Sequence, residues 1–517
     1  MHTSKSLYHE VSTEDSSAAP LLHAERCCPS ETFDVEDCED GRANQCNKHA
    51  WRTHVKILLL ALIASVPLHV CFAMPSTLYV FLTWSIIIGP AEVFLLTRGG
   101  RLCPWRTKKA WSICADAMTW RNTASVCCIA WSVVTWFTVL AAIVKGMQTP
   151  ASSLASVEQR MDTQERVFIA ANLYQSAKLF PAFTTSLLAL CNLLGPQNVY
   201  ISIYESNSRD DTCKHLKELG DQLSAINAQS SIVCGDSDER FDKSGGRRAR
   251  VEYLAKARNK VLSPLQKAGG AAAAQPTPSK ILWLNDIVFN PADIVTLLNT
   301  NGGNYDQACA IDLFALGFYD TWVARDVNAR RLKPLWPYFI RSEDVAILRR
   351  KEPILVDSCW NGATAFDAAW FTPDPAARAK LGLPNATHKE GDSTFNVTLP
   401  LSFRAADSRT CAASECLYTS FDQHVASKPF RPSIFINPKV TVSYNALTYW
   451  LYHSLSDQIP VKVWAFLWQD LVSHRLFGWL TDVGRKIAPC AEELSDGWAS
   501  SSDKLRRDVV QRQGSAG

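Results

Sequence analysis

The chain has 517 residues, a formal net charge of +3 and a charged fraction of 20%. That length accommodates one large domain or two, and so balanced a charge supplies no field that would draw a nucleic acid or a strongly acidic partner. Mean hydropathy is close to zero, at −0.06, but the average conceals a first third with clustered apolar residues and a remainder that alternates like a globular domain.

Residues 1–50 are polar and acid-bearing, and Cys27, Cys28, Cys38 and Cys46 lack the paired C-x-x-C spacing of a zinc site. A disordered cytosolic tail is expected there. Three apolar stretches follow, 57–73, 77–97 and 125–144, each near the ~20 residues that cross a bilayer, with Glu92 the only charge inside them. The first lies too far from Met1 for a cleaved signal peptide, so anchoring segments are expected. The 98–124 loop carries Arg98, Arg101, Arg106, Lys108, Lys109 and Arg121 against Asp116, and short basic loops stay cytosolic. An odd number of crossings then places everything after Lys145 in the lumen. Three spanning helices would do this, and so would one preceded by a membrane-dipping hairpin. The sequons Asn385-Ala-Thr387 and Asn396-Val-Thr398 fall on that side, where glycosylation occurs. So do eight cysteines, Cys191, Cys213, Cys234, Cys309, Cys359, Cys411, Cys416 and Cys490, in a compartment that permits disulfides. Spacing does not say which of them pair.

After a stem over 146–165, the apolar run Arg166–Asn172 closes on a polar residue, as a buried parallel strand does. A second strand is expected over Asn198–Tyr204, ending in the polar turn 205–212 before a helix from Cys213 to Leu223, with Asp210, Asp211 or Thr212 available as its cap. In open α/β sheets such a turn lies where ligands bind. A short strand over Ser231–Cys234 precedes a basic helix from Arg247 to Asn259, whose apolar stripe through Val251, Leu254, Ala255, Val261 and Leu262 includes Arg258. An inward arginine needs a partner: either a buried carboxylate or an anionic ligand such as a diphosphate. Residues 268–279 are low-complexity and predict a surface loop.

The run Lys280–Phe289 predicts a buried strand interrupted by Asn285 and Asp286, and Asn290-Pro291 then starts a helix. Adjacent oxygen-bearing side chains on a buried strand are costly unless they bind something, and Mg²⁺ or Mn²⁺ bridging a diphosphate would supply the partner. Ala310-Ile-Asp312 again ends a strand in an acid, and Tyr319–Asp326 gathers acids, an arginine and aromatics. Such mixtures suit sugars and buried networks alike. Trp464, Phe466, Leu467, Trp468, Phe477 and Trp479 make 451–517 an aromatic-rich extension, either packed or touching the membrane.

Taken in order, these motifs resemble the fungal family of cryptococcal α-1,3-mannosyltransferases and capsule-associated proteins. The likeness runs through Phe168–Tyr174, Leu194–Ser206 with Ser208, Asp210 and Thr212, Tyr253–Ala255 with Arg258-Asn259, and Leu284–Asp286. It continues through Tyr305–Cys309, Asp312, Tyr319–Val323 with Arg325-Asp326, Ser358–Gly362, Ala365–Asp367, Phe403-Arg404, Ser414–Cys416 and Asn437-Pro438, covering roughly 166–445. The resemblance implies an α/β, Rossmann-like glycosyltransferase domain of the A type over 166–450, behind transmembrane helices in the Golgi or ER membrane and facing the lumen. It implies retaining transfer of mannose from GDP-mannose to a mannose-containing glycan, with Mn²⁺ or Mg²⁺. By the same likeness Glu205, Ser208, Asp210, Arg258 and Asn285 would bind the nucleotide sugar, and Asp286 the metal. Asp312, Asp320 and Asp326 would contact the acceptor or steady the cationic sugar, and Trp360 and Asn361 would line the acceptor pocket. Arg209-Asp-Asp211, the 268–279 insertion and the number of apolar segments depart from the family pattern. A non-catalytic factor in polysaccharide synthesis or export is the alternative.

Overall fold

The computed structural model describes residues 165–236, 246–266, 277–382 and 388–465, with short gaps inside the last two spans, together with helical residues 134 and 137–145. The 1–50 tail, the segments 57–73 and 77–97, the 98–124 loop, most of 125–144 and of the stem, Asn385 and residues 466–517 lie outside the described residues.

One mixed sheet of ten strands organises the rest. Its strands are β1 Val167–Leu173, β2 Val199–Glu205, β3 Gln229–Val233, β4 Lys280–Leu284, β5 Gln307–Phe314, β6 Gly317–Phe318, β7 Arg325–Asp326, β8 Ile354–Ser358, β9 Ala363–Asp367 and β12 Ile434–Ser443. The pair β10 His388–Glu390 and β11 Ser393–Val397, which carries Asn396, forms a separate ribbon. The sheet runs β3-β2-β1-β4-β9-β5-β12-β8-β7, with β6 on β5. Its first four strands are parallel, in the 3-2-1-4 order of a doubly wound sheet. Beyond them β9 runs antiparallel between β4 and β5, and β12 lies parallel to β5.

Strands covered on both faces read as continuous apolar runs, and β1, β2 and β4 are buried almost throughout. Helices α1 Phe180–Leu194, α2 Thr212–Ala225 and α4 Pro291–Leu298 close one face through Phe183, Leu187, Leu216 and Ile294. Helices α3 Gly246–Gln266 and α6 Glu415–Ala426 close the other through Val261, Leu262, Leu417 and Phe421. Helix α5 Ser342–Arg350 packs at the β8 edge. Residues 177–194 are long and apolar enough to cross a bilayer, but Phe180, Phe183, Leu187 and Leu190 pack on the sheet, so this is a core helix.

Two expectations change. The strand foreseen over 280–289 stops at Leu284, because Asn285 turns the chain; Ile287 and Phe289 remain buried as loop residues. Asp312 does not end its strand: β5 continues to Phe314 because β6 folds back on it, pairing Leu313 with Phe318. The helix starts hold. Asn290 caps α4 by accepting from the Ala292 amide at 2.9 Å, and Asp210 accepts from the first amide of α2, Thr212, at 3.2 Å.

Of the cysteines after Lys145, Cys309 on β5 and Cys359 before β9 form a disulfide with Cα atoms 6.2 Å apart. Helical residues 137–145 pack with the helical run beginning at Ala446: Ala142 meets Leu451, Leu455 and Val461, and the Trp450 indole donates to the Ala142 carbonyl at 3.0 Å. That run crosses residue 450 without a break to Leu455, and after a turn at 456–458 a further helix, Ile459–Ala465, follows.

Candidate functional site

Because β4, β5 and β12 point the same way and β9 runs against them, the ends of the first three and the loop entering β9 meet at one edge of the sheet. That edge gathers Asn285 and Asp286 after β4, Asp312 within β5, Tyr319 and Asp320 after β6, Trp360 to Gly362 before β9, and Tyr444 after β12. Several of these are more than 100 residues apart in the chain.

The entry to β9 is the geometric key. Asn361 and Gly362 both take positive φ, 48° and 69°, a conformation asparagine tolerates and glycine adopts freely. The Gly362 carbonyl receives the Asn285 amide at 2.8 Å, and the Asn361 side chain donates to the Ala310 carbonyl at 2.9 Å. This turn locks β4, β5 and β9 together where the acids stand. A Cβ at Gly362 would lie 3.1 Å from Val442, 3.2 Å from Ile287 and 3.4 Å from Asp312. Gly362→Ala is therefore expected to lower stability by about 1–3 kcal/mol and to depress activity further by shifting Asp312. Thermal unfolding and initial rates on the same preparation would test this.

The three carboxylates differ in environment. Asp312 is fully buried. One oxygen accepts from the Asp320 amide at 3.2 Å and the other from the Tyr444 hydroxyl at 3.4 Å, and burial followed by the Asp320 charge pushes its carboxyl well above the usual range. Asp320 accepts from the Val323 amide at 3.0 Å, and burial raises it too. Asp286 is partly exposed and has no ion pair or side-chain hydrogen bond to another residue among those described. Burial alone pushes it up to about 6. All three lie close enough to Tyr319 and Tyr444 to raise both phenols, after burial. Those two rings are 4.7 Å apart, and Tyr319 is 54% exposed. An unpartnered, desolvated carboxylate among other oxygen donors suits a hard divalent cation, so the chemistry expected of Asp286 fits its surroundings. Arg250, exposed in the first turns of α3, is the cation that offsets the rise at Tyr319.

Other candidates are committed elsewhere. Arg258, buried in α3, forms an ion pair with the buried Glu415 at the start of α6. Its guanidinium lies 4.6 Å from the centre of the Trp360 ring. The choice between a carboxylate and a ligand thus falls to the carboxylate. Trp360 is 4% exposed, wedged among Trp283, Phe366 and Phe403 with its indole toward Asn285 at 3.4 Å, and Asn361 is 0% exposed. Neither has surface to offer a glycan, so the acceptor-pocket expectation is corrected: both build the wall and the turn. Asp326 accepts from the Asn328 and Arg330 amides and pairs with the Arg330 guanidinium at 2.9 Å, so its oxygens are spent on its own turn.

At the ends of β1 and β2 the remaining candidates form one knot. Glu205 accepts from the amides of Ser208 and of Gly235, the latter at 3.1 Å. Ser208 accepts from the Gln175 amide at 2.8 Å, and Asp210 from the Ala177 amide at 3.1 Å. They shape a polar rim at the carboxyl edge of the sheet, beside the acids. A cleft lined by Phe168, Asn198, Tyr200 and Gln229 opens at the opposite edge and contains none of these groups.

Sequence reasoning missed Tyr444, Glu415 and Arg250. Arg250 lay inside a recognised helix; the other two come from segments whose proximity only the fold creates.

Residues 166–422 match the family model described as Cryptococcal mannosyltransferase 1. The chain is 25% identical over 277 residues to alpha-1,3-mannosyltransferase CMT1 of Cryptococcus neoformans var. neoformans, covering 50% of this chain and 53% of that protein. It therefore spans about half the length of the curated relative it matches. Among solved structures, the mannosyltransferase PcManGT from Pyrobaculum calidifontis in complex with GDP-Man and Mn²⁺ is 12% identical, covering 72% of this chain and 97% of that one with a TM-score of 0.30. S. aureus TarS 1–349 is 11% identical, covering 68% of this chain and 92% of that one with a TM-score of 0.29. Superpositions this loose say nothing about chemistry.

Proposed function

Because the chain belongs to the cryptococcal mannosyltransferase family, we propose that it is a membrane-bound transferase of the A-type glycosyltransferase fold. In this reading it moves mannose from GDP-mannose to a mannose-containing glycan, forming an α-1,3 linkage with retention. The observation that carries it is Asp286: a carboxylate without a side-chain partner among the described residues, half-buried after β4 beside Asp312, Asp320 and the exposed Tyr319.

Asp286, with Asn285 next to it, would hold Mn²⁺ or Mg²⁺. The ion supplies neutralisation of the charge that builds on the departing diphosphate. Arg250, at the open start of α3, is the available guanidinium for the same diphosphate. Asp320 is the acid best placed to face the sugar as it becomes cationic, because it is partly exposed whereas Asp312 lies beneath it and anchors it through its amide. Tyr319 offers an exposed ring face for a sugar to stack on. The rim of Glu205, Ser208 and Asp210 shapes the nucleotide end.

Lumenal, membrane-anchored placement in the Golgi or ER is supported by the basic 98–124 loop, the two sequons and the Cys309–Cys359 disulfide. The exposed Phe137, Leu140 and Val144 continue the apolar 125–144 segment to its end.

Full-length protein in detergent, given GDP-mannose, UDP-glucose or UDP-N-acetylglucosamine with Mn²⁺ and a mannobiose acceptor, is expected to transfer from GDP-mannose alone. Transfer from a UDP-sugar would replace the donor assignment. Absence of transfer and of donor hydrolysis with every sugar would favour the non-catalytic role in polysaccharide assembly.

A further inference from the structure

We propose that Cys213 and Cys234 are a disulfide-forming pair that staples the start of α2 to the end of β3, holding the nucleotide rim in shape. The rim's role rests on the function proposed above; the bond does not.

Cys213 is the second residue of α2, and Cys234 directly follows β3. Their sulfurs and a Glu205 carboxylate oxygen all lie within 4.8 Å of one another, and the Cys234 thiol points at the Cys213 carbonyl, 3.7 Å away. Both residues are partly exposed, so an oxidant can reach them, whereas Cys191 and Cys416 are buried. Cys309 and Cys359 already form a bridge in the same chain. Two partly exposed thiols whose sulfurs lie within 4.8 Å, in a protein that carries a disulfide, are placed to form a second with a small side-chain movement.

The same three ligand atoms could suggest a metal. Glu205, however, spends its oxygens on the Ser208 and Gly235 amides, which turns the carboxylate toward the loops. Those loops are sewn together noncovalently along the same seam. The Tyr204 hydroxyl donates to Asp236 at 3.2 Å, the Asn207 side chain donates to the Asp236 carbonyl at 2.6 Å, and Lys260 pairs with Asp236. A covalent link at Cys213 and Cys234 would fix the seam that positions Glu205, Ser208 and Asp210.

The oxidant is a small-molecule or protein disulfide, such as oxidised glutathione. One thiolate attacks it and releases one thiol; the second cysteine then attacks the mixed disulfide and releases the other. Two S–H bonds are lost, one S–S bond forms, and two electrons leave with the oxidant as two thiols that carry the protons. Burial, then the neighbouring Cys213 and Glu205, push the Cys234 thiol up to about 12, which leaves little of it as thiolate and makes its attack the slow step.

Full-length protein from a secretory host, with the Cys309–Cys359 bridge intact, is denatured with N-ethylmaleimide and no reductant, then digested and mapped by mass spectrometry. The expected result is a Cys213 peptide joined to a Cys234 peptide, separable on reduction, and a newly alkylated Cys234 in Cys213→Ser. Both cysteines alkylated in the wild-type chain would overturn the proposal, as would either joined to a third cysteine, or both released on denaturation with stoichiometric zinc. Mild reduction, and Cys213→Ser separately, should weaken GDP binding in Mn²⁺ by roughly two- to tenfold through lost preorganisation. Unchanged affinity with the bridge mapped would overturn the staple's role at the rim. The peptide map requires no activity, so a protein that binds no GDP would refute the function proposed above and leave the bridge standing.

Discussion

Replacing Asp286 with asparagine is expected to cut mannosyl transfer by roughly 10²–10³-fold, the scale on which removal of one preorganised charge-stabilising group acts, without unfolding the protein. The side chain has no ion pair or side-chain hydrogen bond to another described residue, and burial raises its carboxyl from 3.8 to about 6. A folded-state pKa above the unfolded one means that the native state binds the proton more tightly. Its stabilising contribution is therefore complete below about pH 4 and lost as pH rises through about 6. Asp286→Asn removes that slope, so the variant should match the wild type in acid and melt at a higher temperature at neutral pH in the absence of metal. Activity of the wild type should rise through about pH 6, as the carboxylate ionises and becomes able to bind Mn²⁺. Initial rates with GDP-mannose and Mn²⁺, and melting curves at acid and neutral pH, check both statements. A variant with wild-type turnover would remove Asp286 from the chemistry.

The second large effect is one of stability. Glu415→Gln leaves the Arg258 guanidinium buried against Trp360 and Phe403 with its counter-charge gone. Breaking a buried pair from one side costs about 3–5 kcal/mol, whereas replacing both partners with apolar residues is often nearly neutral. The double variant Arg258→Met with Glu415→Leu should accordingly recover most of what the single variant loses. Denaturant unfolding of Arg258→Met, Glu415→Leu and their double variant measures the coupling. Additive losses would mean that the two residues do not act as a pair. Because Trp360 abuts both the pair and Asn285, the single variant should also lose activity more steeply with temperature than the wild type.

The sequence made the parallel half of the sheet legible. Continuous apolar runs at 166–172 and 198–204, each closing on polar residues, appear as β1 and β2 shifted by one residue. The helix foreseen over 213–223 appears as α2, and Asn290-Pro291 caps α4 as its chemistry requires. Local pattern suffices there because burial on both faces and helix capping are set by neighbours in the chain. The second half was less legible. Strand β9 inserts antiparallel between β4 and β5, and nothing within its five residues signals which strands it joins. Long-range pairing is decided by how whole faces fit together.

At the site, the residue types were readable from the chain, but their roles were not. Asp286 and Asp312 stood out as acids on apolar strands, where a desolvated carboxylate is costly, and Asp320 as one of the acids gathered with aromatics over Tyr319–Asp326. Only the tertiary structure separates Asp286, without a side-chain partner among the described residues, from Asp312, buried beneath Asp320, and from Asp326, which binds its own turn. Likewise the 3.6-residue stripe of α3 predicted that Arg258 faces inward and needs a partner. The partner is Glu415, more than 150 residues later, brought there by the packing of α6 on α3. A sequence determines which groups must be satisfied, since that follows from their chemistry and local burial. Which group satisfies which is decided by contacts between distant segments, and these exist only once the sheet has closed around them.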